Sequence, residues 1–109
     1  MELRTVEARG VRFSIVRDGV EVGHAYLYLL HNDLHTAPFA FLEDVAVHRD
    51  YQGQGIGNEL VQAIIEYAET HNAYKLLATS RSDGTRTTVH DWYERLGFVK
   101  YGVEFRMNF

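Results

Sequence analysis

Gly53, Gly55 and Gly57 alternate with Gln54 and Ile56, behind an apolar segment and ahead of a helical pattern. A backbone with so little side-chain cover, leading into a helix N terminus, suits a phosphate. The first amides of a helix lack intrahelical partners and carry the positive end of its dipole. Absent side chains let an anion approach the main chain. Two rival phosphate loops fail on their letters. A nucleoside-triphosphate loop ends in Gly-Lys-Ser/Thr, whereas this one ends Gly57-Asn58-Glu59; the dinucleotide fingerprint lacks its last glycine, since Asn58 or Leu60 stands there. Just upstream, Glu43 and Asp44 lie side by side in the apolar run 39–47. Two carboxylates there are costly unless hydrogen-bonded or solvated, so they serve either the edge of a sheet or a chemical role. His31 and His35 have metal-ligand spacing, but no glutamate follows His31 and the segment lacks a helical period; they read as a solvated loop.

The run Gln52-Gly53-Gln54-Gly55-Ile56-Gly57 fits the pattern Q/R-x-x-G-x-G/A, and here the chain resembles the GNAT family of N-acetyltransferases. The strand ending Val45-Ala46-Val47, the short turn and Leu60 fit as well. Far downstream, Trp92-Tyr93-Glu94-Arg95-Leu96-Gly97-Phe98 matches the family's F-Y-x-x-x-G-F ending, with Trp92 at the Phe position. Two motifs in the family's order are far more specific than the glycines alone.

The resemblance covers residues from about 11 to 109 and implies a short member lacking the usual N-terminal helices, which in relatives wall the acceptor site. It implies acetyl-coenzyme A as acyl-donor cosubstrate, an amine acceptor, and no metal. Val45, Ala46 and Val47 would lie beside the thioester. Gln52, Gly53, Gln54, Gly55, Ile56, Gly57 and Asn58 would form the loop under the pyrophosphate. Gln52 replaces the more familiar Arg and removes one positive charge. The later loop, 80–86, lacks the Asn that relatives usually deliver toward the coenzyme.

Acetyl transfer to an amine has four requirements: a polarised thioester, a deprotonated amine, a held oxyanion and a protonated leaving thiolate. An amine of pKa near 10.4 is charged at neutral pH and needs a base, here Glu43 first and Asp44 second. A bulge in the strand Val45-Ala46-Val47 would free a backbone N–H for the oxyanion. By resemblance, Tyr93 is the general acid; its alternative is packing on the apolar stripe of its helix.

These residues need a frame. The pattern predicts an α/β fold: a mixed twisted sheet of about six strands with two main helices, in one domain over 1–109. Residues 1–10 form an ill-defined N-terminal segment ahead of a core at 11–109. Strands are expected over Val11–Val16 and Val20–Leu30, joined at Asp18-Gly19. Ala25, Leu27 and Leu29 would share one face of the second strand; His24, Tyr26 and Tyr28 would share the other. In Phe39–Val47, strict alternation sets Phe41, Glu43, Val45 and Val47 against Leu42, Asp44, Ala46 and His48. A helix from about Ile56 to His71 carries the stripe Leu60, Val61, Ile64, Ile65 and Ala68, stopped at Asn72. A short strand at Tyr74–Thr79 follows, parallel to its neighbour. A second helix opens on Thr88 and Asp91 as a capping box and ends at Gly97. Strands at Phe98–Tyr101 and Val103–Phe109 finish the chain.

Composition narrows the function. The chain has 109 residues, 46% of them hydrophobic and 24% charged, an ordinary globular balance. A formal charge of −4 gives no basic field for nucleic acid. No apolar run approaches a membrane span of about 20 residues, no signal peptide is visible, and cysteine is absent. A cytoplasmic protein bound to neither membrane nor nucleic acid is expected. The leading function is N-acetyl transfer from acetyl-coenzyme A to an amine, small molecule or protein. The alternatives are a non-catalytic acyl-coenzyme A-binding or protein-interaction module, and a homodimer built on the aromatic face of His24, Tyr26 and Tyr28.

Overall fold

Two positive-φ residues, Asp18 at 50° and Gly19 at 75°, make the tight turn between the first strands, β1 (Ala8–Arg17) and β2 (Val20–Leu30). Turns with both central residues at positive φ match the right-handed twist of a hairpin. The computed structural model describes residues 1–109, and two compact units make up the chain, Met1–Ala78 and Thr79–Phe109.

The first unit is a four-stranded sheet in the order β1-β2-β3-β4, with β3 at Phe39–Val47 and β4 at Leu76–Ala78. β1, β2 and β3 pair antiparallel, whereas β3 and β4 pair parallel. That parallel pairing follows from the helix α1 (Ile56–Thr70), which carries the chain back across the sheet. Leu60, Val61, Ile64 and Ala68 on α1 bury against Val22, Ala25, Leu27, Leu29, Ala40 and Leu42 of the sheet. Spacing of three and four on the helix meets period two on the strands, which is why one apolar face suffices on each. Asn72, at φ 61°, turns the chain out of α1; its N–H bonds to Glu69 O and that of Ala73 to Ala68 O. No helix is long and apolar enough to cross a membrane.

The second unit holds α2 (Thr87–Arg95). Gly97, at φ 103°, stops it with the same two-bond closure, its N–H to Glu94 O and the Phe98 N–H to Tyr93 O. The capping box on Thr88 and Asp91 is absent. α2 starts two residues earlier, with Arg86 at the cap and no side-chain cap bond, so Thr88 is already helical and cannot take the cap conformation.

The fold is α/β with a mixed sheet and two helices, as expected, but with four strands rather than six. Residues 98–109 form no strand. β1 also begins at Ala8, three residues earlier than its alternation signals.

Candidate functional site

Within β3 the ladder is interrupted. His24 pairs with Ala46 and Tyr26 pairs with Glu43, so Asp44 and Val45 together oppose Ala25 alone. This is a β-bulge, one extra residue in one strand, and Asp44 absorbs it at φ 51°. The short polar Asp tolerates that left-handed conformation better than its branched neighbours would. A bulge takes a backbone group out of the ladder.

The bulge also reverses the faces downstream. Directly paired residues share a face. Leu42 lies opposite Leu27 and Val47 opposite Gly23, on the side covered by α1. Phe41, Glu43 and Ala46 instead share the side of Tyr28, Tyr26 and His24. The expected grouping of Phe41, Glu43, Val45 and Val47 is therefore corrected: Glu43 and Val47 stand on opposite faces. Strict alternation failed there because one residue at the bulge uses no step of the pleat.

After Val47 a 3-10 turn spans Arg49–Tyr51. Its frame is local: the His48 N–H bonds to Val22 O at 2.7 Å, and the Asp50 N–H donates to His48 Nδ1 at 3.1 Å. The proton of that imidazole therefore sits on Nε2 when it is neutral. Gln52 Nε2 donates to Val47 O at 3.3 Å, tying the loop to the end of β3. Gly53 and Gly55 both adopt φ 79°, and a β-carbon on either would meet nothing within 4 Å. Backbone conformation rather than crowding demands glycine at these two positions, and the main chain stays open. Gly55 is the N-cap of α1 and has no side chain to cap it. Ile56 is buried, while Gln52, Gln54 and Asn58 are exposed.

Gly23 sets the height of this loop over the sheet. A β-carbon there would lie 2.7 Å from Ile56 Cγ2, 3.1 Å from Leu60 Cδ1 and 3.3 Å from Ala46 O. Sequence reasoning missed Gly23, although a glycine inside an apolar strand is itself a sign of close approach.

Glu43 is half-buried among the aromatic residues of its face, where the Tyr26 and Tyr28 rings stack at 6.4 Å and 8°. At the hairpin side of the same face, Arg12 grips Glu21 in two bonds, Nη1–Oε1 at 2.5 Å and Nη2–Oε2 at 2.9 Å. Arg12 Nε also donates to Tyr26 Oη at 3.1 Å, and His24 Nδ1 lies 3.7 Å from Glu21 Oε2. The Arg12 hydrogen bonds, then that of Ser14, hold the Glu21 carboxyl down at about 2. Sequence reasoning missed this pair, whose charges meet only once the hairpin register is known.

The first unit thus brings together Glu43, Asp44, Val45, Ala46, Val47 and the loop from Gln52 to Asn58. Tyr93 belongs to the second unit, where it lies half-buried on α2 with its ring edge-on to Phe98 at 5.3 Å. His35, from the histidine loop, stacks on Tyr74 at 4.5 Å.

A family model described as "Acetyltransferase (GNAT) family" matches residues 2–98. N-alpha-acetyltransferase 30 of Schizosaccharomyces pombe is 30% identical over 61 residues, which are 56% of this chain. The match spans only 39% of that relative's length. Among solved structures, a protein assigned as an acetyltransferase from Agrobacterium tumefaciens aligns with a TM-score of 0.83 and 29% identity, over 91% of this chain and 68% of that one. A Trypanosoma brucei acetyltransferase gives a TM-score of 0.83 at 24% identity, over 92% and 69% of the two chains, a likeness of fold.

Proposed function

This chain belongs to the GNAT acetyltransferase family, and from that premise we propose that it transfers an acetyl group from acetyl-coenzyme A to an amine. One observation carries the reading: the bulge at Asp44 is followed, within one strand end and one turn, by an open glycine loop at the N terminus of α1. The first can offer a backbone donor to a developing oxyanion, and the second can offer amides to a pyrophosphate.

In this reading acetyl-coenzyme A is the acyl-donor substrate. Its pyrophosphate lies on Gln52 to Asn58 and its thioester beside Val45, Ala46 and Val47. Glu43 takes the proton of the amine, through water, with Asp44 the second choice. A backbone N–H freed at the bulge holds the oxyanion, a contribution of about 3 kcal/mol to the barrier. Tyr93 returns a proton to the leaving thiolate, which its phenol can do because its ordinary pKa of about 10 exceeds that of a thiol.

Calorimetric titration with acetyl-coenzyme A, with Gly55→Glu alongside, tests the loop. Saturable binding lost in the variant is expected, because a carboxylate at the helix N terminus repels the pyrophosphate. Equal binding by both proteins sinks the loop assignment. Binding without turnover on any amine offered would favour the non-catalytic acyl-coenzyme A-binding module instead.

A further inference from the structure

The loop given to the pyrophosphate is short of positive charge. From His48 to Leu60 the chain carries Arg49 against Asp50 and Glu59, so with His48 neutral the segment is net negative. Gln52 stands where an arginine is more familiar and adds nothing to correct this. Glu59 is the carboxylate of the first turn of α1, and its N–H donates to Gly55 O at 3.0 Å. A rise of about 1.5 Å per residue puts it about 6 Å along the axis from that cap, and helical side chains lean back toward the N terminus. A negative charge there strengthens the free helix, whose positive end it meets. It opposes an anion seated on the same amides.

β1 supplies the missing cation. Phe13 and Arg17, both odd-numbered on one strand, share the face that α1 covers. The strand runs against the helix: Phe13 meets the Tyr67 ring edge-on at 5.5 Å, while Arg17 Nη2 donates to Glu59 Oε2 at 2.7 Å. Arg17 is the last residue of β1, beside the turn at Asp18-Gly19, and its Nη1 also donates to Val16 O at 3.4 Å. We propose that Arg17 is a positioning residue of the coenzyme loop. By holding Glu59 it cancels the carboxylate of the first turn, and the amides of α1 are then free of an opposing charge when a pyrophosphate arrives. The inference rests on the acetyl-coenzyme A reading and makes the hairpin between β1 and β2 part of donor binding. The pair itself contributes little to folding, since its side chains are 47% and 54% exposed. Its effect falls on the added anion, which brings about two charges of its own.

Calorimetric titration with acetyl-coenzyme A at about 0.01 M salt, where screening reaches about 30 Å, tests the charge term. Arg17→Gln leaves the carboxylate bare and should raise Kd by about fivefold, the effect of one charge on a doubly charged group about 8 Å away in water. Arg17→Lys should keep the natural affinity. Glu59→Gln leaves Arg17 bare and should lower Kd, and the double variant Arg17→Gln with Glu59→Gln should return close to the natural value. At about 1 M salt, with screening of about 3 Å, all of them should converge. An Arg17→Gln that binds like the natural chain, or a Glu59→Gln that binds no more tightly, would overturn the inference. So would a double variant as weak as Arg17→Gln, or a loss that persists at high salt, since either would mark a role in folding rather than in charge. Circular dichroism of each variant confirms that folded proteins are compared. A natural chain that binds no acetyl-coenzyme A would remove the donor reading and this inference together, whereas binding indifferent to these charges removes the inference alone.

Discussion

Gly23 and Ile56 stand so close that a β-carbon on the glycine would lie 2.7 Å from the isoleucine Cγ2. The contact joins the middle of β2 to the first turn of α1, so the glycine loop takes its position from a missing side chain. Gly23→Ala is expected to lose about 1–3 kcal/mol of stability, the usual cost of overpacking a filled core. Because the displaced residue opens α1, acetyl-coenzyme A affinity should fall too. A denaturant titration and a coenzyme titration of the same variant check both, and an unchanged midpoint would mean that Ile56 yields freely.

Asp44 and Glu43 separate by kinetics. Glu43→Gln should lower kcat/KM by about 10²-fold or more, the range for loss of a general base. Asp44→Asn, which keeps a side chain at home in the left-handed region, should retain turnover. The reverse result would exchange the two roles.

Asp44 also carries a conformational prediction. Asp44→Val puts a β-branched residue at φ 51°, at a cost of about 1–2 kcal/mol. Asp44→Gly should be nearly neutral, since lost strain offsets gained unfolded-state entropy. Thermal unfolding of the pair measures the difference; equal midpoints would argue that the bulge is not under backbone strain.

Tyr93→Phe removes the proposed acid while keeping the ring that meets Phe98. Turnover should fall by about 10²-fold, and the alkaline limb of the pH profile should disappear. Wild-type activity across the pH range would reduce Tyr93 to packing.

Glu21 titrates well below its ordinary 4.5, at about 2, chiefly through its bonds to Arg12. Its folded value is depressed, so this contribution to stability is whole above the unfolded value and fades as pH falls from about 4.5 toward 2. Arg12→Gln should move the carboxyl back toward its ordinary range, as read from side-chain carboxyl shifts by NMR. The pair is exposed, so the effect on overall stability should be slight.

Much of the frame was legible because it depends on local signals. The bounds of β2 and β3, the turn at Asp18-Gly19 and the start of α1 at Ile56 follow from period and turn chemistry. What was not legible depends on partners. Alternation in β3 could not locate the residue at which it breaks, since nothing in the letters Glu-Asp-Val states which opposes Ala25. Gly23 matters only because Ile56 arrives above it. Residues 98–109 show the converse: their alternation reads as strand, yet they pair with none, because period two states a preference and not a partner. The loop from Gln52 to Asn58 was the easiest part of the site to find, since its glycines and helix start are contiguous in the chain.

The bulge gives β3 two halves that are out of phase by one residue. Deleting Asp44 would bring them back into phase and straighten the ladder, and the strand would then pair without a gap. Leu42, Val45 and Val47 would then alternate with Glu43 and Ala46 and keep the faces they have now, so no apolar side chain of β3 would turn away from α1. The extra residue thus serves the backbone rather than the core, and shortening the strand by one residue should leave the packing against α1 in place while it removes the N–H proposed for the oxyanion.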